Sequence, residues 1–495
     1  MIRPSILTLA LALAAGLPAG ALAAPLDPLT ACLGADSYPS KADRPRIVAD
    51  CDRALSLPAT DARQRTRALV VRSTAQWRLD RNPEAEADAE AALKLTPNDP
   101  DALLARGAAR AHLDRPDEAL ADYESALKVS PGNPIALLYR GRVRTRSKGD
   151  DAGALADFTA AIAADPKLSR AYAERAYLRL TTDPVAAERD LKIAIQLNPG
   201  EAALQRSLGV AYEYQDRPRD ALATYDQILR ADPKDAFTLN YRSTVKRALG
   251  DKAGALRDAE RAVTLAPTDP DVYLGRAAVL EALEKPAPAL LDYQQAAKLA
   301  PKDASTLAKL GGALRRAQRL DEALSTLEAA AKLAPDNSDV LFQRALVWDA
   351  KDQDDRAIKD YDALIALKPS SVAYYNRGHL IAATDDHKAA LADFIKAAEL
   401  DPKDADAELY KGVELDHLDR DDEALKAYDR ALALNPAEPA PLINRGAIAA
   451  GRQDWAAAAV AYRAALKLAP DRADVEVALG EVLAQLDQPA EARRA

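Results

Sequence analysis

Apolar and polar residues recur along this chain in two helical stretches per repeat. One copy shows both: Asp101-Ala-Leu-Leu-Ala-Arg-Gly-Ala-Ala-Arg-Ala-His112, then Pro116-Asp-Glu-Ala-Leu-Ala-Asp-Tyr-Glu-Ser-Ala-Leu-Lys-Val129. In the second stretch Ala119, Leu120, Tyr123, Ala126 and Leu127 fall at three- and four-residue spacing with charges between them, which predicts an amphipathic helix. Pro116 followed by Asp117 and Glu118 starts it, since proline fits the first turn and acids there favour the helix dipole. An Asp-Pro, Asn-Pro or similar step stops it, as at Asn198-Pro199, because the residue before proline avoids helical dihedrals.

That closing proline returns twelve times, at 97, 131, 166, 199, 233, 267, 301, 335, 369, 402, 436 and 470, with every spacing 33, 34 or 35 residues. A fixed period of this size predicts an array of stacked helix pairs sharing one continuous core. Alanine stands twelve residues before the proline in all twelve repeats. Eight before it is usually large, as at Tyr123, Phe158, Tyr225, Tyr293, Tyr361, Phe394, Tyr428 and Tyr462. Twenty-four before it is often glycine, as at Gly107, Gly209, Gly311, Gly378, Gly412 and Gly446. Glycine inside a helix costs about 1 kcal/mol relative to alanine, so close helix packing is the expected reason, with the ring filling the remaining space against the next repeat.

Charges covary between the repeats. An arginine before the small position tracks an aspartate about sixteen residues later: Arg72/Asp88, Arg106/Asp122, Arg140/Asp157, Arg175/Asp190, Arg242/Asp258, Arg276/Asp292, Arg344/Asp360 and Arg377/Asp393. Where the first becomes Leu208 or Leu310 the second becomes Thr224 or Thr326, while Lys411 and Arg445 face Ala427 and Ala461. The expectation is a bidentate ion pair joining the helices of each hairpin; an arginine ladder for phosphates is the alternative.

The pattern resembles the tetratricopeptide repeat family over roughly residues 66 to 492, most clearly in Asn444-Arg445-Gly446 with Ala458 and Tyr462, and in Tyr428-Asp429-Arg430-Ala431-Leu432 with Asn435-Pro436. The resemblance implies an all-α, right-handed superhelical solenoid of antiparallel helix pairs whose concave face, lined by first helices, holds a peptide or partner helix. The domain plan that follows is a signal at 1–23, an N-terminal capping segment at 24–65, twelve tandem repeats over 66–472 and a partial repeat or cap at 473–495.

Composition adds a compartment. Arg3, an apolar run from Ile6 to Leu17 and Ala21-Leu22-Ala23 read as a secretory signal. An uncleaved anchor is the alternative, disfavoured by Pro18 and Gly20; no membrane span is expected after processing. The alanine- and arginine-rich composition suggests a GC-rich bacterium, so export leads to the periplasm or to secretion. Both cysteines, Cys32 and Cys51, follow the signal, and an even pair in an exported chain supports a disulfide stapling a capping unit over 27–58; a redox pair is the weaker option, since the spacing is not C-x-x-C. Glu481, Gln485, Asp487 and Gln488 offer a polar face at the other end.

No catalytic pattern stands out. Charged residues make up 29% of the chain and its net charge is −9, without a basic run, which disfavours nucleic acid. His112, His379, His387 and His417 are too dispersed for a metal site, and neither a P-loop nor a serine elbow occurs. No cofactor is expected, and the oligomeric state is left open. The groove is the remaining candidate. Arg67, Arg78, Arg142, Arg146 and Arg170 lie towards its N-terminal end and Asp339, Asp349, Asp406 and Asp416 nearer the other, with Trp77, Tyr177, Phe237, Phe342 and Tyr375 as pocket formers. Asn240, Asn376 and Asn444 do not make the family's carboxylate clamp, so capture of chaperone C-termini is not supported. These features point to a non-enzymatic envelope scaffold binding proteins or peptides, or alternatively to a module for envelope polysaccharide or its synthase complex.

Overall fold

The computed structural model describes residues 27–34, 42–57 and 61–486, and among these the chain is all-helical without a strand. The signal and the far C-terminal residues, Asp487 and Gln488 included, lie outside the described residues. Within the array the chain divides into two compact bodies, one ending at Arg230 and the other starting at Ala231.

The N-terminal body holds α1 (Pro28–Leu33), α2 (Arg44–Ser56), α3 (Ala62–Trp77), α4 (Asn82–Leu95), α5 (Pro100–His112), α6 (Pro116–Val129), α7 (Pro134–Val143), α8 (Asp151–Ala164), α9 (Ser169–Arg179), α10 (Pro184–Leu197), α11 (Ala202–Tyr214) and α12 (Pro218–Ala231), with a π-helical turn at Arg144–Lys148 after α7. The first full hairpin starts at Ala62, ahead of the boundary expected at 66, because Asp61 and Gln64 form a capping box that fixes the start of α3. Cys32 and Cys51 are joined by a disulfide linking α1 to α2, and both are fully buried against Ala68 and Ala75 of α3.

The C-terminal body continues with α13 (Ala236–Ala248), α14 (Lys252–Leu265), α15 (Pro270–Ala282), α16 (Pro286–Leu299), α17 (Ala304–Arg316), α18 (Leu320–Leu333), α19 (Ser338–Asp349), α20 (Asp354–Leu367), α21 (Ser371–Ala382), α22 (His387–Leu400), α23 (Ala405–His417), α24 (Asp421–Leu434), α25 (Ala440–Gly451), α26 (Trp455–Leu468) and α27 (Ala473–Gln485). Within each body helices of one repeat pack on each other, as α3 on α4 and α21 on α22, and second helices pack on the first helix that follows, as α4 on α5 and α22 on α23. In α27, Val475, Leu479, Val482 and Leu483 are buried beside Ala458 and Tyr462 of α26.

Two devices recur among the hairpins, a ring over a glycine where a repeat has both and a positive-φ turn between the helices. The ring eight before the proline lies on the glycine of its own repeat: a Cβ at Gly107 would sit 2.6 Å from Tyr123 Cε1, and one at Gly412 would sit 2.5 Å from Tyr428 Cε1. This corrects the expectation that the ring mainly fills space against the next repeat, although Tyr123 also meets Tyr139 there at 6.0 Å between centroids. The second device is the turn between the paired helices. Asp80, Asp114, Gly149, Asp216, Gly250, Glu284, Gln318, Asp352, Asp385, Asp419 and Gln453 all have positive φ. The N–H after this position bonds back into the last helical turn, as in Arg319 N–H to Leu314 O at 2.9 Å, which satisfies a terminal carbonyl.

Candidate functional site: a first-helix cleft and the ion pairs behind it

All eight covarying pairs are bidentate contacts in the structure. Arg106 Nη2 lies 2.6 Å from Asp122 Oδ1, and Arg72 Nη2 lies 2.6 Å from Asp88 Oδ1. The Nη2–Oδ1 separations are 2.7 Å for Arg276 to Asp292 and 2.6 Å for Arg344 to Asp360, with Nε on the second carboxylate oxygen in both. Arg140–Asp157, Arg175–Asp190, Arg242–Asp258 and Arg377–Asp393 repeat the geometry. The aspartates are buried and the arginines are partly exposed. Their carboxylate partners raise Arg72, Arg140, Arg276, Arg344 and Arg377 above the usual arginine range, each through its hydrogen bond to aspartate first.

Sequence reasoning missed a second cation. Four residues after the first arginine, Arg110, Arg144, Arg179 and Lys246 add a contact to Asp122, Asp157, Asp190 and Asp258 at 2.9, 2.8, 3.1 and 2.8 Å. The signal was an R-x-x-x-R/K step in the first helix, one turn apart on one face. Lys411 and Arg445, which break the pattern, pair with Glu408 and Asp429 at 3.0 Å each.

With these charges occupied, the cations of interest are those on the other face. In the N-terminal body α3, α5 and α7 are started by Asp61, Asp99 and Asn133, whose side chains accept from backbone N–H groups of the first turn. Between them opens a cavity of about 310 Å³ with Val70, Leu104, Ala105, Ala108 and Ile135 on its walls and Arg67, Arg78 and Asp101 among its polar lining. A smaller cavity of about 100 Å³ shares Trp77, Ala108 and Tyr139 and adds His112, Arg142 and Arg146. Trp77 stacks on His112 at 5.2 Å and meets Tyr139 edge-on at 6.4 Å, so one aromatic seam borders both cavities.

Cations outnumber carboxylates along these two cavities. The Arg142 guanidinium lies 6.0 Å from the Tyr139 ring centroid, and its Nε is 3.0 Å from Glu174 Oε1 without hydrogen-bond alignment. Burial holds Arg142 below the usual arginine range, and Arg170 and Arg146 push the same way against Glu174. Burial likewise lowers His112, with Arg142 and Arg146 adding to it. Asp101 is raised by burial and by Asp99, while Arg67 opposes.

Of the predicted groove residues, Arg67 and Trp77 line the larger cavity and Trp77 and Arg142 the smaller, whereas Tyr177 is exposed on α9 and lines neither. Phe237, Phe342, Tyr375 and Asp416 belong to the C-terminal body. Phe237 is 48% exposed on α13. Phe342 packs edge-on to buried Tyr361 at 6.3 Å, and Tyr375 sits among His379, Phe394 and Tyr410, so both are wedged into packing rather than open as pocket walls. Burial raises the Asp416 carboxyl, with Asp421 next. His387 and His417, thirty residues apart, stack at 4.4 Å, and His387 Nδ1 lies 2.9 Å from buried Glu414. Among the described residues no three His, Cys, Asp or Glu side chains are grouped to hold a metal, and no helix is long and apolar enough to cross a membrane.

Helix pairs of one period, many locked by a glycine under a ring and most by a buried ion pair, define a helical-repeat protein. The chain belongs to the tetratricopeptide repeat family, whose model matches residues 71–134, 113–169, 181–236, 309–372 and 375–439. Similar solved structures include the APC/C hetero-tetramer Cut9-Hcn1 (15% identity, 80% of this chain and 85% of that one, TM-score 0.47). A tetratricopeptide repeat protein from Parabacteroides merdae (20%, 48% and 93%, TM-score 0.41) and the human IFIT1 dimer with PPP-AAAA (15%, 80% and 95%, TM-score 0.44) are also similar. No curated protein matches the chain. Membership makes it an interaction scaffold in general terms.

Proposed function

We propose that this protein is a non-enzymatic adaptor of the bacterial cell envelope, exported by its N-terminal segment, that holds partner proteins or peptides against its first-helix faces. The carrying observation is the open cleft of about 310 Å³ among α3, α5 and α7. The glycine–ring and Arg–Asp contacts that lock the hairpins are made within single repeats and leave this cleft open. Apolar walls with a few polar groups at the edge are the usual make-up of a binding site. The buried disulfide between Cys32 and Cys51 supports an oxidising compartment.

The test is a pull-down with the tagged full chain, crosslinked in the native envelope. One protein recovered in stoichiometric amount supports the adaptor. Recovery of glycan alone sinks it in favour of the polysaccharide module, and a bait that returns nothing sinks it as well.

A further inference from the structure

We infer that the two adjoining cavities of α3, α5 and α7, which share Trp77, Ala108 and Tyr139, are a recognition pocket for an acidic peptide segment that sets an apolar side chain between carboxylates. The inference rests on the adaptor reading and gives it a ligand chemistry and an address.

Two properties of the cleft select this occupant. Its walls are apolar, from Val70, Leu104, Ala105, Ala108 and Ile135, and take an aliphatic or aromatic side chain out of water. Its charged lining is mostly cationic: Arg67, Arg78, Arg142 and Arg146 with the carboxylate Asp101, and Glu174 beside Arg142 at 3.0 Å. The whole chain carries −9, so this excess is local and not a reflection of composition. It is also felt inside the site. Burial drives both Arg142 and the neighbouring His112 towards their less charged forms, with Arg170 and Arg146 set against Glu174 at the first and Arg142 and Arg146 set against Asp80 at the second, so an arriving carboxylate would favour the charged forms that burial disfavours.

Arginine suits the task. Its planar fork binds carboxylate in two-point fashion while its face lies on an aromatic ring, as Arg142 lies near Tyr139 and Arg78 lies 5.1 Å from the Trp77 centroid. The arginines that close the hairpins cannot serve, because each already spends its fork on a buried aspartate. A basic peptide would add to the crowding of positive charge. A neutral glycan would use the aromatic seam but gain nothing from the charge of the cationic lining.

The experiment measures binding of fluorescently labelled peptides of about twelve residues to the full chain. One peptide carries Asp and Glu around a central Phe or Leu, a second has the acids replaced by Lys, and a third keeps the acids but has Gly at the centre. The expected result is that the first binds at least about ten-fold more tightly than either control. Its affinity falls by about ten-fold or more on raising salt and in the double variant Arg67→Gln with Arg146→Gln, both exposed residues whose loss leaves the helices intact. Equal binding of acidic and lysine peptides overturns the inference, as does affinity unmoved by the double variant, or no binding by the acidic peptide. If the double variant still recovers a stoichiometric protein partner from the envelope, the acidic pocket fails while the adaptor stands.

Discussion

Removing one arginine should cost more in some repeats than in others, and the structure says where. Arg276→Ala strips Asp292 of both of its cationic hydrogen bonds, at 2.8 and 2.7 Å, and leaves a carboxylate with 6% of its side chain exposed. The position one turn on is Leu280, so no second cation stands in. Breaking a buried pair costs roughly 3–5 kcal/mol; because Arg276 is 27% exposed and water reaches that edge, the lower end applies, about 3 kcal/mol. Asp292→Ala should cost about 2 kcal/mol, since the orphaned guanidinium can turn to water. The double variant should cost about 3 kcal/mol, which leaves a coupling of about 2 kcal/mol. Arg175→Ala is the contrast: Arg179 remains 3.1 Å from Asp190, so the loss should be nearer 1 kcal/mol. Native-state hydrogen exchange in α15–α16 and α9–α10 suits the comparison, because repeat arrays open locally and a whole-chain melt blurs single hairpins. Additivity of the two Arg276 and Asp292 variants within about 0.5 kcal/mol would refute the reasoning. Equal costs for Arg276→Ala and Arg175→Ala would refute the role given to the second cation.

Gly412→Ala should destabilise by about 1–3 kcal/mol in chemical denaturation, since the new methyl would lie 2.5 Å from a fully buried Tyr428 ring, whereas Gly132→Ala, with nothing within 4 Å, should be near neutral. Gln318→Gly should raise stability by about 0.5–1 kcal/mol, because φ of 58° burdens a long side chain and not glycine; a loss measured by the same denaturation would contradict this. His379, enclosed by Tyr375, Phe394 and Tyr410, is pushed by burial below its ordinary value of 6.5, with Glu414, Asp349 and Asp406 opposing. The unfolded chain then binds the proton more readily, so this contribution is present above pH 6.5 and is lost as pH falls below it through the depressed folded value. Exchange protection in α21–α23 should decline over that window in the parent and not in His379→Gln.

The repeat period, the helix pairs and the Arg–Asp partners were all legible because each recurs against a fixed mark, the closing proline. Contact direction was harder to read. Tyr123 stands sixteen residues after Gly107 and eighteen before Gly141, and nothing in a spacing says which glycine a ring will cover. The structure gives it Gly107, and Phe158 takes Gly141. The cleft was half visible. Arg67, Trp77 and Arg142 were identified by type, but Tyr139 and Asp101 join them only through the side-by-side placement of α3, α5 and α7. The stack of His387 on His417 was hidden for the same reason, since one lies on a second helix and the other on the next first helix. Phe342 and Tyr375 were expected as pocket walls and are largely spent on packing, because a partly apolar helix face looks the same in sequence whether solvent or a neighbour covers it.

The ring that covers its own glycine also bears on how such a chain can grow or shrink. Gly412 with Tyr428, or Arg276 with Asp292, falls wholly between two consecutive closing prolines. A duplication or deletion cut at those prolines would therefore carry a complete lock with it or remove one entire. The gene can change its number of copies without splitting an Arg–Asp lock or leaving a ring without a seat, and only the ion pairs that cross a boundary, such as Arg110 to Glu86 at 2.8 Å, must be remade. Selection is then free to alter the outward residues of each new copy one at a time, which is how one stretch could acquire a cationic cleft that its sister copies lack.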